Sequence, residues 1–138
     1  MTGEYEHSMD SKGRVFMPAR LRDELGGVFF VTVSMERCLC VYSSESWTAF
    51  SDKCSAMPYV QQRKMRPLFA MAARCEADGQ GRILLPANLR EFAGLSKDVT
   101  VVGCNNHAEI WDRERWKEVN ALEMTAENIA AVMEELEF

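Results

Sequence analysis

At 138 residues the chain has the length of one ordinary domain, and a composition of 47% hydrophobic and 27% charged residues is typical of a globular protein. No apolar run approaches the roughly 18 residues that a membrane span requires, and the first residues lack the basic and apolar segments of a signal peptide. These features exclude a large multidomain enzyme and predict a cytoplasmic protein with no membrane partner. The formal net charge of −5 argues, at first, against a nucleic-acid partner.

The acidic charge is concentrated at the C-terminus. Residues 1–111 contain 13 Lys and Arg residues and 13 Asp and Glu residues, whereas residues 112–138 contain three and eight. Within the neutral part the basic residues form two groups, namely Lys12, Arg14, Arg20 and Arg22, and then Arg63, Lys64 and Arg66. The net charge of the whole chain therefore does not decide whether the partner is a nucleic acid.

Two segments repeat at an offset of 68 residues. The segment at 10–26 reads DSKGRVFMPARLRDELG and the segment at 78–94 reads DGQGRILLPANLREFAG, with eight of the seventeen positions identical. Such self-similarity indicates two copies of one structural unit. We divide the chain into a first repeat at 4–48, a helical linker at 49–74, a second repeat at 75–118 and an acidic helical tail at 119–138.

Each copy predicts the same order of elements: strand, turn, strand and short helix. Asp10 and Asp78 are each followed three residues later by Gly, which signals a turn. The apolar triplets at 15–17 and 83–85 predict strands, and the Pro after each triplet fits the first turn of a helix. The predicted fold class is therefore mainly β with short helices.

Hairpins and further helices follow in each copy. Alternating residues predict hairpins at 28–42 and 99–111, and Ser44 and Asp112 each begin a further helix. The linker from 59 to 74 has helical character with an interruption at Pro67. Apolar residues at helical spacing over 125–136 predict an amphipathic helix packed on the body or on a neighbouring subunit.

The cysteines and histidines do not form a recognisable site in the sequence. Five cysteines are an odd number, and none of them has C-x-x-C spacing: Cys38, Cys40, Cys54, Cys75 and Cys104. This pattern favours buried reduced thiols over a disulfide framework or a zinc knuckle. Because His7 and His107 both fall in strand or turn segments, a Cys–His nucleophile is not indicated. We expect no catalytic residue, no metal and no cofactor.

The paired D-x-x-x-R loops, at 10–14 and 78–82, resemble those of the MraZ transcriptional regulators, a tandem-repeat branch of the SpoVT-AbrB superfamily. The resemblance covers nearly the whole chain and includes the segments GEYEHSMDSKGR, CLCVY, CEADGQGR, LREFAGL and EIWDRERW. It implies a small double-split β-barrel per repeat, with the two repeats related by a pseudo-twofold axis. It also implies a homo-oligomeric ring, usually an octamer, that is associated with the nucleoid. The resemblance further implies that such a ring binds direct repeats in promoter DNA and represses the division and cell-wall gene cluster.

The loops supply the candidate DNA contacts. We predict Lys12 and Arg14 as the main contacts and Gln80 and Arg82 as weaker ones. An Arg on a β-ribbon can read guanine bidentately, while a Lys neutralises phosphate or contacts guanine. Alternatively, or in addition, each loop Asp pairs with its Arg to lock the turn. The residues assigned to this structural motif are Asp10, Gly13, Arg22, Asp78, Gly81 and Arg90.

Two other functions remain as alternatives. An antitoxin-like protein-interaction module of the same superfamily would use a C-terminal segment to wrap a partner, and the acidic tail fits that idea loosely. A small hydrolase or thiol enzyme would need a nucleophile and base that the sequence does not offer.

Overall fold

The computed structural model describes residues 1–138 and contains eight strands and seven helices. The strands are β1 Glu4–Ser8, β2 Arg14–Phe16, β3 Phe29–Val33, β4 Leu39–Ser43, β5 Ala73–Cys75, β6 Arg82–Leu84, β7 Asp98–Gly103 and β8 Ala108–Asp112. The helices are α1 Ala19–Leu25, α2 Ser44–Ser55, α3 Tyr59–Lys64, α4 Arg66–Met71, α5 Ala87–Phe92, α6 Arg113–Glu123 and α7 Ala126–Glu135. The predicted order of strand, turn, strand, short helix and hairpin is confirmed in both copies.

The two copies share their sheets. Six strands form one antiparallel sheet in the order β1-β7-β8-β4-β3-β5, and β2 pairs with β6 in a separate two-stranded ribbon. The first strand of each copy therefore pairs with the hairpin of the other copy, β1 with β7 and β5 with β3. Exchanging the copies leaves the sheet order unchanged, as a pseudo-twofold relation requires. The repeats are thus interleaved, and each completes the sheet of the other.

The main core covers one face of the six-stranded sheet. Alternate strand residues such as Val99 and Val101 lie in this core, as the period of two in a strand requires. Leu21 of α1 and Leu89 of α5 pack against it and are fully buried. Burial of one leucine contributes about 1.5–3 kcal/mol. Packing therefore holds these short helices, since six or seven residues are too few for a stable isolated helix.

The opposite face of the sheet differs between the halves. In the first half α2 and α4 cover it with aromatic rings, and the ring centroids of Phe30 and Trp47 lie 5.1 Å apart. In the second half α6 covers it, and the ring of Trp116 lies 5.6 Å from that of Trp111. The first half therefore has the larger aromatic cluster, whereas the buried cluster of Cys38, Val102 and Trp111 lies beside α6.

The linker is not one helix broken at Pro67. It forms two short helices, α3 and α4, that meet at Met65, and its last two residues begin β5, the first strand of the second copy. Pro67 occupies the first turn of α4, where its missing N–H removes no helical hydrogen bond. The helix break thus comes two residues earlier than the sequence indicates.

The C-terminal helix is present as predicted, but it does not pack on the body of its own chain. Thr125 caps α7 by accepting a hydrogen bond from the N–H of Asn128 at 3.1 Å. No residue of α7 is buried, and its apolar side is exposed at Ile129, Val132, Met133 and Leu136. Of the two predicted packing surfaces, the structure therefore excludes the body of the same chain. No helix of the protein is both long and apolar enough to cross a membrane.

Candidate nucleic-acid interface

The β2–β6 ribbon presents two arginines and two apolar side chains on one surface. In its register Arg14 lies opposite Leu84, and Phe16 lies opposite Arg82. Alternation sends the central pair, Val15 and Ile83, into the core, so the other four residues face away from it. Phe16 and Leu84 are 42% and 60% exposed, respectively. We call these four outward residues the ribbon face.

The first loop is closed by its aspartate. The Oδ1 atom of Asp10 accepts hydrogen bonds from the backbone N–H groups of Lys12 at 3.0 Å and Arg14 at 2.9 Å. The Oδ2 atom accepts a third bond, from Nε of Arg14 at 2.6 Å. The backbone N–H of Gly13 also donates to the Asp10 carbonyl at 3.0 Å. The carboxylate therefore fixes the turn and the arginine together.

The second loop repeats this arrangement. Oδ1 of Asp78 accepts from the N–H groups of Gln80 and Arg82, both at 2.9 Å, and Oδ2 accepts from Nε of Arg82 at 3.0 Å. The predicted Asp–Arg pair is thus present in both copies. The loops differ in charge, because Gln80 occupies the position of Lys12.

Hydrogen bonding changes the acidity of both aspartates. The N–H of Arg14, followed by its guanidinium and the N–H of Lys12, lowers the pKa of Asp10 below its ordinary value. The N–H groups of Arg82 and Gln80, together with the Arg82 guanidinium, lower the pKa of Asp78 in the same way. Both carboxylates are therefore ionised at neutral pH and remain good acceptors.

We call the hydrogen bond from Nε of each loop arginine to its aspartate the arginine latch. This latch leaves the two terminal nitrogens of each guanidinium free. Within the chain the side chains of Arg14 and Arg82 donate only through Nε, so their two terminal nitrogens have no partner. The side chains are 33% and 24% exposed. Locking of the turn and contact with DNA are therefore compatible. Lys12 and Gln80 are exposed at the tips of the loops, and no hydrogen bond or ion pair holds either side chain.

Each loop is supported by an arginine from the other copy. Gly13 has a φ of +85°, and a Cβ there would lie 2.8 Å from Nε of Arg90. Gly81 has a φ of +81°, and a Cβ there would lie 3.0 Å from Cζ of Arg22. Only glycine therefore fits at either position without displacing the arginine.

The supporting arginines are themselves anchored. Nε of Arg22 donates to the Met17 carbonyl at 2.8 Å, and Nε of Arg90 donates to the Leu85 carbonyl at 3.0 Å. Both carbonyls belong to the residue that precedes the helix proline in the same copy. The ribbon, its two loops and helices α1 and α5 thus form one connected unit.

Sequence reasoning misses two members of the ribbon face. Phe16 and Leu84 are predicted only as members of apolar strands, although they lie next to the loop arginines. The available signal is the strand period of two. In RVF and RIL the first and third residues share a face, which places an arginine beside an apolar side chain. The second basic group, at 63–66, lies on α3 and α4, and α4 packs on β3.

A second group of polar side chains lies at the far end of β7 and β8 from the first loop. Here Cys40 lies opposite Glu109, His107 lies 3.0 Å from the Glu109 carboxylate, and the ligand atoms of all three lie within 4.8 Å of one another. The neighbouring Cys38 thiol, and then His107, lowers the pKa of the Cys40 thiol below its ordinary value. Cys40, and then Glu109, raises the pKa of His107 to about 9. The structure therefore brings a cysteine and a histidine together, which the sequence does not indicate.

The fold and the ribbon define a class of protein: a tandem-repeat protein whose two interleaved copies jointly build one latched, arginine-bearing β-ribbon. A family model described as "MraZ protein, putative antitoxin-like" matches residues 1–66 and 68–136. The chain belongs to the MraZ family.

Three relatives show how much of the chain this similarity covers. The transcriptional regulator MraZ of Heliobacterium modesticaldum is 46% identical over 97% of this chain and 94% of its own length. That of Carboxydothermus hydrogenoformans is 46% identical over 95% of this chain and 94% of its own length. That of Acetivibrio thermocellus is 44% identical over 95% of this chain and 94% of its own length. Transcriptional regulation, the role in these names, is not a class of enzyme activity.

Proposed function

We propose that this protein is a sequence-specific DNA-binding transcriptional regulator that reads promoter DNA with the ribbon face. The observation that carries the proposal is the pair of latched arginines, Arg14 and Arg82, whose terminal nitrogens are free. The names of the relatives support the regulatory role.

The ribbon has the dimensions and chemistry of a major-groove reader. A two-stranded β-ribbon fits the major groove, where the terminal nitrogens of an arginine can bond O6 and N7 of one guanine. Diagonal neighbours on such a ribbon lie roughly 7–8 Å apart, so Arg14 and Arg82 address neighbouring positions on the DNA. Phe16 and Leu84 supply apolar surface for thymine methyl groups. Because the Nε latch holds each arginine in place, less conformational entropy is lost on binding.

The first loop carries more of the electrostatic attraction than the second. Lys12 adds a cation at the loop tip that can neutralise a phosphate, whereas Gln80 can only donate or accept hydrogen bonds. Lys12 and Arg14 are therefore the main contacts, and Gln80 and Arg82 the weaker ones.

One ribbon offers few contacts, so we propose that the protein acts as a homo-oligomeric ring, an octamer, on direct repeats. Linked sites raise the overall affinity through effective concentration. The exposed apolar side of α7 supports assembly, since an isolated chain gains nothing from leaving it in water. The proposed output is repression of the division and cell-wall gene cluster, by a cytoplasmic protein associated with the nucleoid.

An antitoxin-like interaction module is the second candidate. The same exposed side of α7 favours it, because a partner protein could cover this helix instead of a second copy. In that case the ribbon face would be dispensable for the activity, and operator binding separates the two candidates.

The test is a fluorescence anisotropy titration with a promoter fragment that carries direct repeats. Arg14→Ala removes the terminal nitrogens and should abolish specific binding while the oligomer, followed by light scattering, stays assembled. Arg63→Ala, in the other basic group, is the matched control and should bind as the unmodified protein does. Operator binding retained by Arg14→Ala would overturn the proposal.

A further inference from the structure

Six side chains that can bind a metal converge at the junction of the two repeats, on the face of the sheet that α6 covers. They are Glu36, Cys38, Cys40, Cys104, His107 and Glu109. Register explains the convergence: Cys40 lies opposite Glu109 on the neighbouring strand, and residues two apart on a strand share a face. This group is separate from the ribbon face and lies at the end of β7 that is far from the first loop.

Three of these residues already approach the geometry of a metal site. The ligand atoms of Cys40, His107 and Glu109 all lie within 4.8 Å of one another. The Cys38 thiol contacts that of Cys40, and its sulfur lies within 4.8 Å of the Glu109 carboxylate. Around a tetrahedral Zn²⁺ the sulfur lies at about 2.3 Å and the nitrogen at about 2.0 Å, which places ligand atoms roughly 3.3–3.8 Å apart. A side-chain rotation that brings the Cys38 sulfur closer to His107 would complete a four-ligand site.

The contacts of the histidine direct Nε2, rather than Nδ1, toward the other ligands. Its Nδ1 lies 2.9 Å from the side-chain oxygen of Asn106, which accepts hydrogen bonds, so Nδ1 carries a proton. Its Nε2 lies 3.0 Å from Oε2 of Glu109. A nitrogen lone pair and a carboxylate oxygen at this distance need a cation between them, either a proton or a metal ion.

Outer contacts orient the other ligands as well. Oε1 of Glu109 accepts a hydrogen bond from Nε1 of the buried Trp111 at 2.9 Å, which leaves Oε2 directed at His107. The Cys38 sulfur lies 3.2 Å from the hydroxyl of Ser34. Metal sites commonly have such an outer shell, because it fixes ring and carboxylate orientation.

We propose that Cys38, Cys40, His107 and Glu109 bind one divalent transition-metal ion, and that the ion is Zn²⁺. Two sulfur ligands, one imidazole and one carboxylate suit Zn²⁺ and disfavour Mg²⁺ and Ca²⁺, which take oxygen ligands. Cys38 is fully buried and Cys40 is nearly so, and four protein ligands close the site, so its role is structural.

The position of the site gives it a specific structural effect. Strands β4 and β8 are neighbours in the sheet, and their contact is where the hairpin of the first copy meets that of the second. Cys38 and Cys40 come from the first hairpin, and His107 and Glu109 from the second. One ion would therefore fasten the two repeats together.

The test is a Co²⁺ titration of the full chain in the presence of a phosphine reductant, followed by Zn²⁺ displacement. The proposal predicts one equivalent of Co²⁺, a thiolate-to-cobalt charge-transfer band and the strong visible bands of four-coordinate Co²⁺. Zn²⁺ should remove these bands and raise the thermal unfolding temperature, because it binds only the folded chain. Asn106→Ala, which removes an outer contact, should weaken binding by about 10- to 100-fold.

The variants are chosen so that a loss of folding cannot imitate a loss of the site. Cys40→Ser and His107→Gln should lose the charge-transfer band and the Zn²⁺-dependent thermal shift while keeping the far-ultraviolet circular dichroism of the unmodified protein. Cys54→Ser, a buried cysteine on α2, is the matched control and should retain both signals. The proposal is overturned if the protein shows no charge-transfer band, if Cys40→Ser binds Co²⁺ as the unmodified protein does, or if mass spectrometry finds a Cys38–Cys40 disulfide that persists in the reductant.

Discussion

The two loops share one geometry but differ in charge. In each, a carboxylate accepts two backbone N–H groups and the Nε of an arginine. Asp, Gly and Arg are the residues that this geometry requires, and they are the ones repeated. The tip residue is not required by the turn, and there Lys12 is replaced by Gln80. The scaffold is therefore common to both loops, while the interaction with a ligand can differ.

Neither loop is an independent unit. Arg90 of the second copy packs on Gly13 of the first loop, and Arg22 of the first copy packs on Gly81 of the second. We therefore expect a change at either arginine to affect the loop of the other copy. Three experiments test whether the two loops have a common scaffold and unequal charge.

The glycine positions should give the largest effect. Gly13→Ala and Gly81→Ala each add a Cβ against an arginine at a positive φ, and each should reduce the free energy of unfolding by about 1–3 kcal/mol. Gly79→Ala is the matched control, because a Cβ there meets nothing within 4 Å, and it should cost less than about 0.5 kcal/mol. Urea unfolding measures all three. Equal costs at 79 and 81 would show that the arginine support is unimportant.

The charge difference should appear in the salt dependence of DNA binding. Lys12→Gln makes the first loop resemble the second and should reduce the slope of log K against log salt by about 0.9 for each phosphate that is no longer neutralised. Gln80→Lys should increase the slope if the second loop also reaches the backbone. Anisotropy titrations at several salt concentrations measure both. If Lys12→Gln leaves the slope unchanged, Lys12 does not neutralise a phosphate.

Acid should weaken the scaffold of both loops, and this effect should be the smallest. The pKa of Asp10 and of Asp78 is lower in the folded protein than in the unfolded chain, where it is about 3.9. Their contribution is therefore complete above the unfolded pKa and is lost as the pH falls through the folded one. The double variant Asp10→Asn and Asp78→Asn should show a shallower loss of stability below about pH 4 than the unmodified protein. If thermal unfolding shows the same loss of stability with falling pH in the double variant and in the unmodified protein, this prediction is contradicted.

Local features of the fold can be predicted from the sequence. The turns at the two loops, the apolar triplets, the short helices and the hairpins all depend on residues close together in the chain, so their patterns are visible there. The Asp–Arg pair is also predictable, because the two residues lie four apart.

Features that depend on pairing between the copies cannot be predicted in this way. Similar strands from either copy fit the same pattern, so nothing local indicates that β1 pairs with β7 rather than with β3. The meeting of Cys40 with His107 depends on the register of β4 against β8, two strands from different copies. The separation of α7 from the body depends on how α6 directs it away, which helical spacing does not encode.

The most direct test of the account is the preference of Arg14→Lys for operator DNA over a scrambled fragment of the same length. Lysine keeps the charge but lacks the planar pair of terminal nitrogens, and it cannot form the Nε latch to Asp10 in the same geometry. The account predicts that binding to the scrambled fragment persists while the preference for the operator is lost, because phosphate contacts position a protein and base contacts specify the sequence. An unchanged ratio of the two affinities would contradict the claim that Arg14 reads a base.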